Sequence, residues 1–146
     1  MTTNNPTSLT KIPNHVFIKH DVSEQEYKIH KYVVNLGVPA PKVYYYDRKT
    51  KTMAMQKLPG MSVSGYYGED PDNVPEHVFT QIRKILKTLY MNNIEYPDIT
   101  GYNFMVRNNK IHIIDFGHAT CCDEYPTDAF MLKFLNSHNG WNPEFA

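Results

Sequence analysis

Cysteine is almost missing from this chain: two among 146 residues, side by side at Cys121 and Cys122. Neighbours cannot cross-link distant segments, and no partners stand at zinc-finger spacing, so both are expected as reduced thiols. The seven histidines show no HExxH or similar ligand pattern, which argues against a zinc centre. Charge of one sign is also lacking, because 15 basic residues meet 15 acidic ones and the formal net charge is zero. A nucleic-acid partner or an anionic membrane surface therefore has no electrostatic support. Long apolar runs are absent, and the opening MTTNNPTSLT has no hydrophobic stretch of a secretion signal, so the expectation is a soluble cytoplasmic protein, not secreted. What is present, 41% hydrophobic and 21% charged residues in a length suited to one compact domain, reads as globular.

Residues 1–15, rich in Thr, Asn and Pro, are expected to be extended. HVFIKHD reads as a strand. The apolar residues Ile29, Tyr32, Val33 and Leu36 then follow helical spacing, from a Ser23 cap to a Gly37 stop. A hairpin follows, with strands at Val43–Tyr46 and Thr52–Gln56 around a polar turn. Gly60–Asn73 has no periodicity and reads as a connector between two lobes. A second helix runs from about Pro75 to Asn92, with Val78, Ile82, Ile85 and Leu89 on one stripe, and a last one lies near Thr127–Ser137.

Between these helices lies YPDITGYNFMVRNNKIHIIDFGHA. Two strand-like runs flank Asn108-Asn109, a pair suited to a two-residue turn that needs positive φ. If Arg107 pairs with Lys110, Asn103 lies opposite Ile114, and Asn103 and Asp115 emerge together at the open end of the ladder. Asp98 sits in the loop that enters the same end. Three oxygen-bearing side chains converging there suit a hard cation such as Mg²⁺ shared with phosphates, and hence phosphoryl transfer. Taken singly, each of these residues also suits turns and caps.

The run from Asp98 over four residues to Asn103, followed by Ile113-Ile114-Asp115-Phe116-Gly117, resembles the catalytic loop and DFG motif of protein kinases. Tyr96-Pro97-Asp98 stands where His-Arg-Asp is usual, and Thr100 where Ser/Thr kinases carry lysine. That combination is similar to the atypical minimal kinases, namely the RIO family and the small kinase of the KEOPS tRNA-modification complex, with the latter resemblance the nearer. The resemblance implies ATP and Mg²⁺ as cofactors, Asp98 as catalytic base, and Asn103 and Asp115 as metal ligands. It implies that Lys19 at the end of VFIK touches the ATP phosphates and that Glu26 holds it. The run LGVPAPKVYYYD after Glu26 resembles the corresponding family segment. MAMQKLPG resembles its hinge, which makes Met55 the gatekeeper and has the Gln56 carbonyl and the Leu58 amide face adenine. A protein partner is implied as well.

The expected fold is α+β: a truncated, kinase-like two-lobed domain with a reduced N-lobe at 16–59, a linker at 60–73 and a minimal C-lobe at 74–146. Some alternatives stay open. Ser23 and Glu26 could form a capping box without Lys19. Asp128 could steady the catalytic loop or simply begin a helix, and Trp141 could pack inward or meet a partner. The stretch before Lys19 contains no glycine, so it departs from the glycine-rich phosphate lid of kinases, and no Ala-Pro-Glu follows Gly117. Two functions fit these features: a minimal Mg-ATP-dependent kinase or ATPase, and a binding module that docks on a partner and mimics or inhibits a true kinase. A small-molecule phosphotransferase, similar to aminoglycoside or choline kinases, lacks a visible acceptor-binding insertion.

Overall fold

The computed structural model describes residues 13–146, so most of the stretch expected to be extended lies outside the described residues. Strands β1 (Val16–Lys19), β2 (Val43–Asp47) and β3 (Thr52–Gln56) form an antiparallel sheet in the order β1-β3-β2. Helix α1 (Glu24–Asn35) crosses between β1 and β2. Its first turn is capped by the Ser23 hydroxyl, which accepts from the Glu26 amide at 3.1 Å. Gly37, at φ +85°, ends it in a conformation that costs a side-chain-bearing residue dearly.

The inward face of α1 differs from the expected stripe. Ile29 and Val33 are buried, but Tyr32 is 45% exposed, and His30 takes the interior place. The imidazole can be buried because its Nε2–H donates to the Pro41 carbonyl at 2.8 Å. Burial holds its pKa below the usual histidine range, so the neutral ring is favoured.

Ile29 and Val33 belong to the main core, together with Val78, Phe79, Ile82, Ile85, Leu86 and Leu89 of α3 (Glu76–Met91). A smaller cluster of Val22, Met53 and Met55 lies against the three-stranded sheet. Truncating a residue such as Ile29 or Leu86 to alanine in such a core costs about 2–5 kcal/mol.

The segment 60–73 is not a bare connector. It holds β4 (Met61–Ser62), α2 (Val63–Tyr67) and a single 3-10 turn at Pro71–Asn73. Strand β4 pairs with β6 (Phe104–Arg107), and β6 pairs with β7 (Lys110–Ile113). A two-residue strand and a five-residue helix are too short to leave a periodic signature, and both are held by tertiary partners. The Ser64 amide donates to the Gly101 carbonyl at 2.9 Å. A Cβ on Gly101 would lie 2.0 Å from the Ser64 hydroxyl oxygen, so only glycine lets α2 approach the loop so closely.

The β6–β7 hairpin has the expected register, with Arg107 opposite Lys110. Its two turn residues, Asn108 at φ 52° and Asn109 at φ 63°, have the double positive φ of a type I′ turn. Strand β5 (Ile94–Glu95) pairs with β8 (Thr120–Cys121), and α4 (Ala129–Leu135) packs on α3. Asp128 caps α4 by accepting from the Met131 amide at 2.9 Å. Trp141 packs on Phe79, with ring centroids 5.2 Å apart. Among the described residues no helix is long and apolar enough to cross a membrane.

Substituting Gly101→Ala is expected to destabilise the protein by about 1–3 kcal/mol through overpacking. Urea unfolding should show this loss, and adding Ser64→Gly to the same chain should restore part of it.

Candidate active site

Strand alternation and helix spacing place a lysine and a glutamate face to face. Lys19, the last residue of β1, donates from Nζ to Glu26 Oε2 at 2.5 Å and to Asp115 Oδ1 at 3.1 Å. Glu26 is buried, with its side chain 7% exposed. Its carboxylate therefore goes to Lys19, and only the Ser23 half of the capping box forms. Burial alone would lower the Lys19 pKa. The Glu26 hydrogen bond and the negative charges of Asp115 and Glu26 outweigh it, and the value is raised above the usual 10.5.

Asp115 follows β7 at φ 64°, a left-handed backbone that Asp tolerates better than most residues. Its Oδ1 accepts from the Gly117 amide at 3.0 Å as well as from Lys19. Burial opposes its ionisation, but the Gly117 amide and the Lys19 charge prevail and hold the carboxyl below its usual 3.8. The second oxygen, Oδ2, has no hydrogen bond among the described residues.

Tyr96 holds this corner from below. It is wholly buried, and its hydroxyl lies 2.7 Å from the Ile114 carbonyl and 2.9 Å from the Asp115 carbonyl, so one proton serves two acceptors. Burial raises its pKa far above the usual 10.0, which keeps it a donor.

The loop 98–103 is braced from several sides. Asn103 Nδ2 donates to the Asp98 carbonyl at 2.9 Å, which leaves Asn103 Oδ1 without a partner among the described residues. The Ile114 amide donates to the Asn103 carbonyl at 2.9 Å, extending the hairpin register to the expected pair. Asn142 clamps the loop from the far end of the chain: its Nδ2 donates to the Pro97 carbonyl and its amide to the Ile99 carbonyl, each at 2.8 Å. The Asp98 carboxylate meets His118, whose Nδ1 lies 3.0 Å from Asp98 Oδ2.

A cleft of about 350 Å³ opens beside Lys19 and Asp115, lined by Phe17, Met55, Gln56, Leu58, Met105 and Ile114 among others. Its apolar walls and charged end suit a flat base attached to an anionic tail. The structure thus brings Lys19, Glu26 and Asp115 into one network, and Asp98 and Asn103 into one loop. It places Met55, Gln56 and Leu58 along the cleft that Lys19 and Asp115 close. Free oxygens on Asn103 and Asp115 fit a hard cation, which takes oxygen ligands.

Sequence reading did not find His118, Tyr96 or Asn142 as site residues. Tyr96 was visible only as an unusual residue in the place of a histidine, and His118 only as the neighbour of Gly117. Asn142 left no local signal.

A three-stranded sheet with one crossing helix, set on a helical part that carries the β6–β7 hairpin, is the plan of a reduced protein-kinase-like domain. The RIO domain family model matches residues 9–134, and the chain belongs to that family. In fold it is similar to the Cydia pomonella granulovirus kinase PK-1, with a TM-score of 0.57 and 11% identity, over 74% of this chain and 44% of that one. In sequence it is 26% identical to the EKC/KEOPS complex subunit BUD32 of Enterocytozoon bieneusi, over 80% of this chain and 64% of that protein. It is also 25% identical to a probable bifunctional tRNA threonylcarbamoyladenosine biosynthesis protein of Methanosphaera stadtmanae, over 84% of this chain. The chain spans only 23% of that larger protein.

Lys19→Met is expected to destabilise the fold by about 2 kcal/mol, less than for a fully sealed pair because the lysine is partly exposed. Glu26→Leu in the same chain should recover most of that loss in urea unfolding. The pH dependence has a defined sign. The Asp115 contribution is complete above pH 3.8 and is lost as pH falls through its lower folded value. The Lys19 contribution is complete below pH 10.5 and is lost as pH rises through its higher folded value. Unfolding midpoints across pH should show both limbs, the acid one weakened in Asp115→Asn and the alkaline one in Lys19→Met.

Proposed function

We propose that this protein is a minimal kinase or ATPase that transfers the γ-phosphoryl group of ATP to a hydroxyl or to water. The single observation behind this reading is the Lys19–Glu26–Asp115 network. A cation partly shielded from water is held by a buried carboxylate at the charged end of an apolar cleft. Stability alone gives little reason to keep such a network, since apolar residues of equal volume often serve as well or better. A site for phosphates gives one.

In this reading the adenine lies along Met55 and Leu58, with the Gln56 carbonyl and the Leu58 amide reading its edge. Lys19 meets the phosphates, and Glu26 keeps its ammonium in place. Mg²⁺ would be held by Asn103 and Asp115 and would supply neutralisation of phosphate charge. Asp98 accepts the proton of the attacking hydroxyl as the new O–P bond forms and the bond to ADP breaks. The steadied loop supports this role, because phosphoryl transfer depends on positioning more than on covalent chemistry.

A protein partner is part of the proposal. One relative is named as a complex subunit, and this chain displays exposed Tyr44, Tyr45 and Tyr66. The contrary reading, a binding module with no chemistry, predicts no nucleotide effect.

With Mg²⁺ and ATP at about 100 times the dissociation constant, the wild-type protein is expected to gain about 2.7 kcal/mol of stability. Asp115→Asn should lose most of that gain. Asp98→Asn should keep it while lowering turnover about 10²–10⁴-fold. Thermal shifts with ATP and release of ADP measure the two effects separately. No nucleotide effect on the wild type would sink the proposal.

A further inference from the structure

We infer that His118 is a positioning residue for the reaction: it holds the Asp98 carboxylate in one rotamer, and leaves a single oxygen, Oδ1, to take the acceptor's proton. The inference rests on the functional reading above and adds a residue which that reading does not use.

The argument begins with what Asp98 lacks. Its side chain is 11% exposed, so the carboxylate is largely cut off from water, and an ionised group there needs a partner. Lys19 is occupied with Glu26 and Asp115. Asn103 bonds the backbone carbonyl of Asp98 and not its carboxylate. Among the described residues, the only hydrogen bond to the carboxylate comes from His118 Nδ1, at 3.0 Å. A carboxylate oxygen accepts, so Nδ1 must carry the proton, and that fixes the ring's tautomer.

The ring is itself steadied. One side faces Phe145, with ring centroids 5.0 Å apart. The side chain is otherwise 60% exposed, so its burial contributes little to the fold.

The chemical consequence concerns Asp98. With Oδ2 engaged, the carboxylate cannot turn freely, and Oδ1 alone faces the acceptor. In transfer, the hydroxyl O–H bond breaks and its proton goes to Oδ1, while the oxygen bonds the γ-phosphorus of ATP as the bond from that phosphorus to ADP breaks. The Nδ1 proton stays on His118 throughout, and no further reactant is needed.

The test compares wild type, His118→Ala and His118→Asn for ADP release, ATP affinity and thermal midpoint. Asparagine places its amide nitrogen one bond beyond Cγ, as Nδ1 is, and can donate to the same oxygen. His118→Ala is expected to lower kcat about ten-fold or more, as for loss of a hydrogen bond to a charged group. KM for ATP should stay within roughly two-fold of wild type, and the variant should remain folded at the assay temperature, so that the loss is read in kcat. His118→Asn should return most of kcat.

Wild-type kcat in His118→Ala, an asparagine variant as poor as alanine, or a fall in kcat matched by loss of ATP affinity or of folded protein would each overturn the inference while leaving the functional reading intact. A wild-type protein without turnover overturns both, and is told apart because no variant is then needed to see it.

Discussion

A buried carboxylate is the constraint on which most of this structure depends. Helix α1 carries Glu26 inward on the same face as Ile29 and Val33, and an ionised group among such neighbours is tolerable only beside a cation. The cation comes from β1, and Lys19 in turn reaches Asp115 beyond β7. Sheet, helix and hairpin are thereby tied at one point. The network adds fixed donors and acceptors to the apolar packing that already holds these elements. The placing of Ile29 and Val33 in the main core has the same effect from the apolar side, because α1 then belongs to the helical part as much as to the sheet.

Around that point, the loop bearing Asp98 is shaped by backbone partners more than by its own sequence. Tyr96 fixes the corner at Asp115, Ser64 meets Gly101, and Asn142 takes two carbonyls of the segment before Thr100. Such bonds leave side-chain oxygens on Asp98, Asn103 and Asp115 free for other partners. The economy is typical of sites in which position matters more than reactivity.

Legibility in the sequence followed the range of the interactions. The β6–β7 hairpin could be read because its turn chemistry is local and demands positive φ at two asparagines. α3 could be read because its stripe is long and regular. The lysine and glutamate could be matched through the resemblance to minimal kinases, with Glu26 on the inward stripe of its helix. The elements within 60–73 and the β5–β8 pair could not, since each consists of a few residues held by distant partners. Tyr32 was expected inside because it is apolar at the right spacing, but His30, with a carbonyl to satisfy it, took that place. His118 and Asn142 act across folds of the chain that no local pattern reveals.

The Lys19–Asp115 contact joins residues 96 positions apart, and Asn142 reaches 45 positions back to Pro97. Closing loops of that length gives up more chain entropy than closing a two-residue turn. The hairpin, by contrast, closes on neighbouring residues alone. A chain opened at β1 keeps Asp98, Asn103 and Asp115 in sequence but loses Lys19, the cation that faces Asp115.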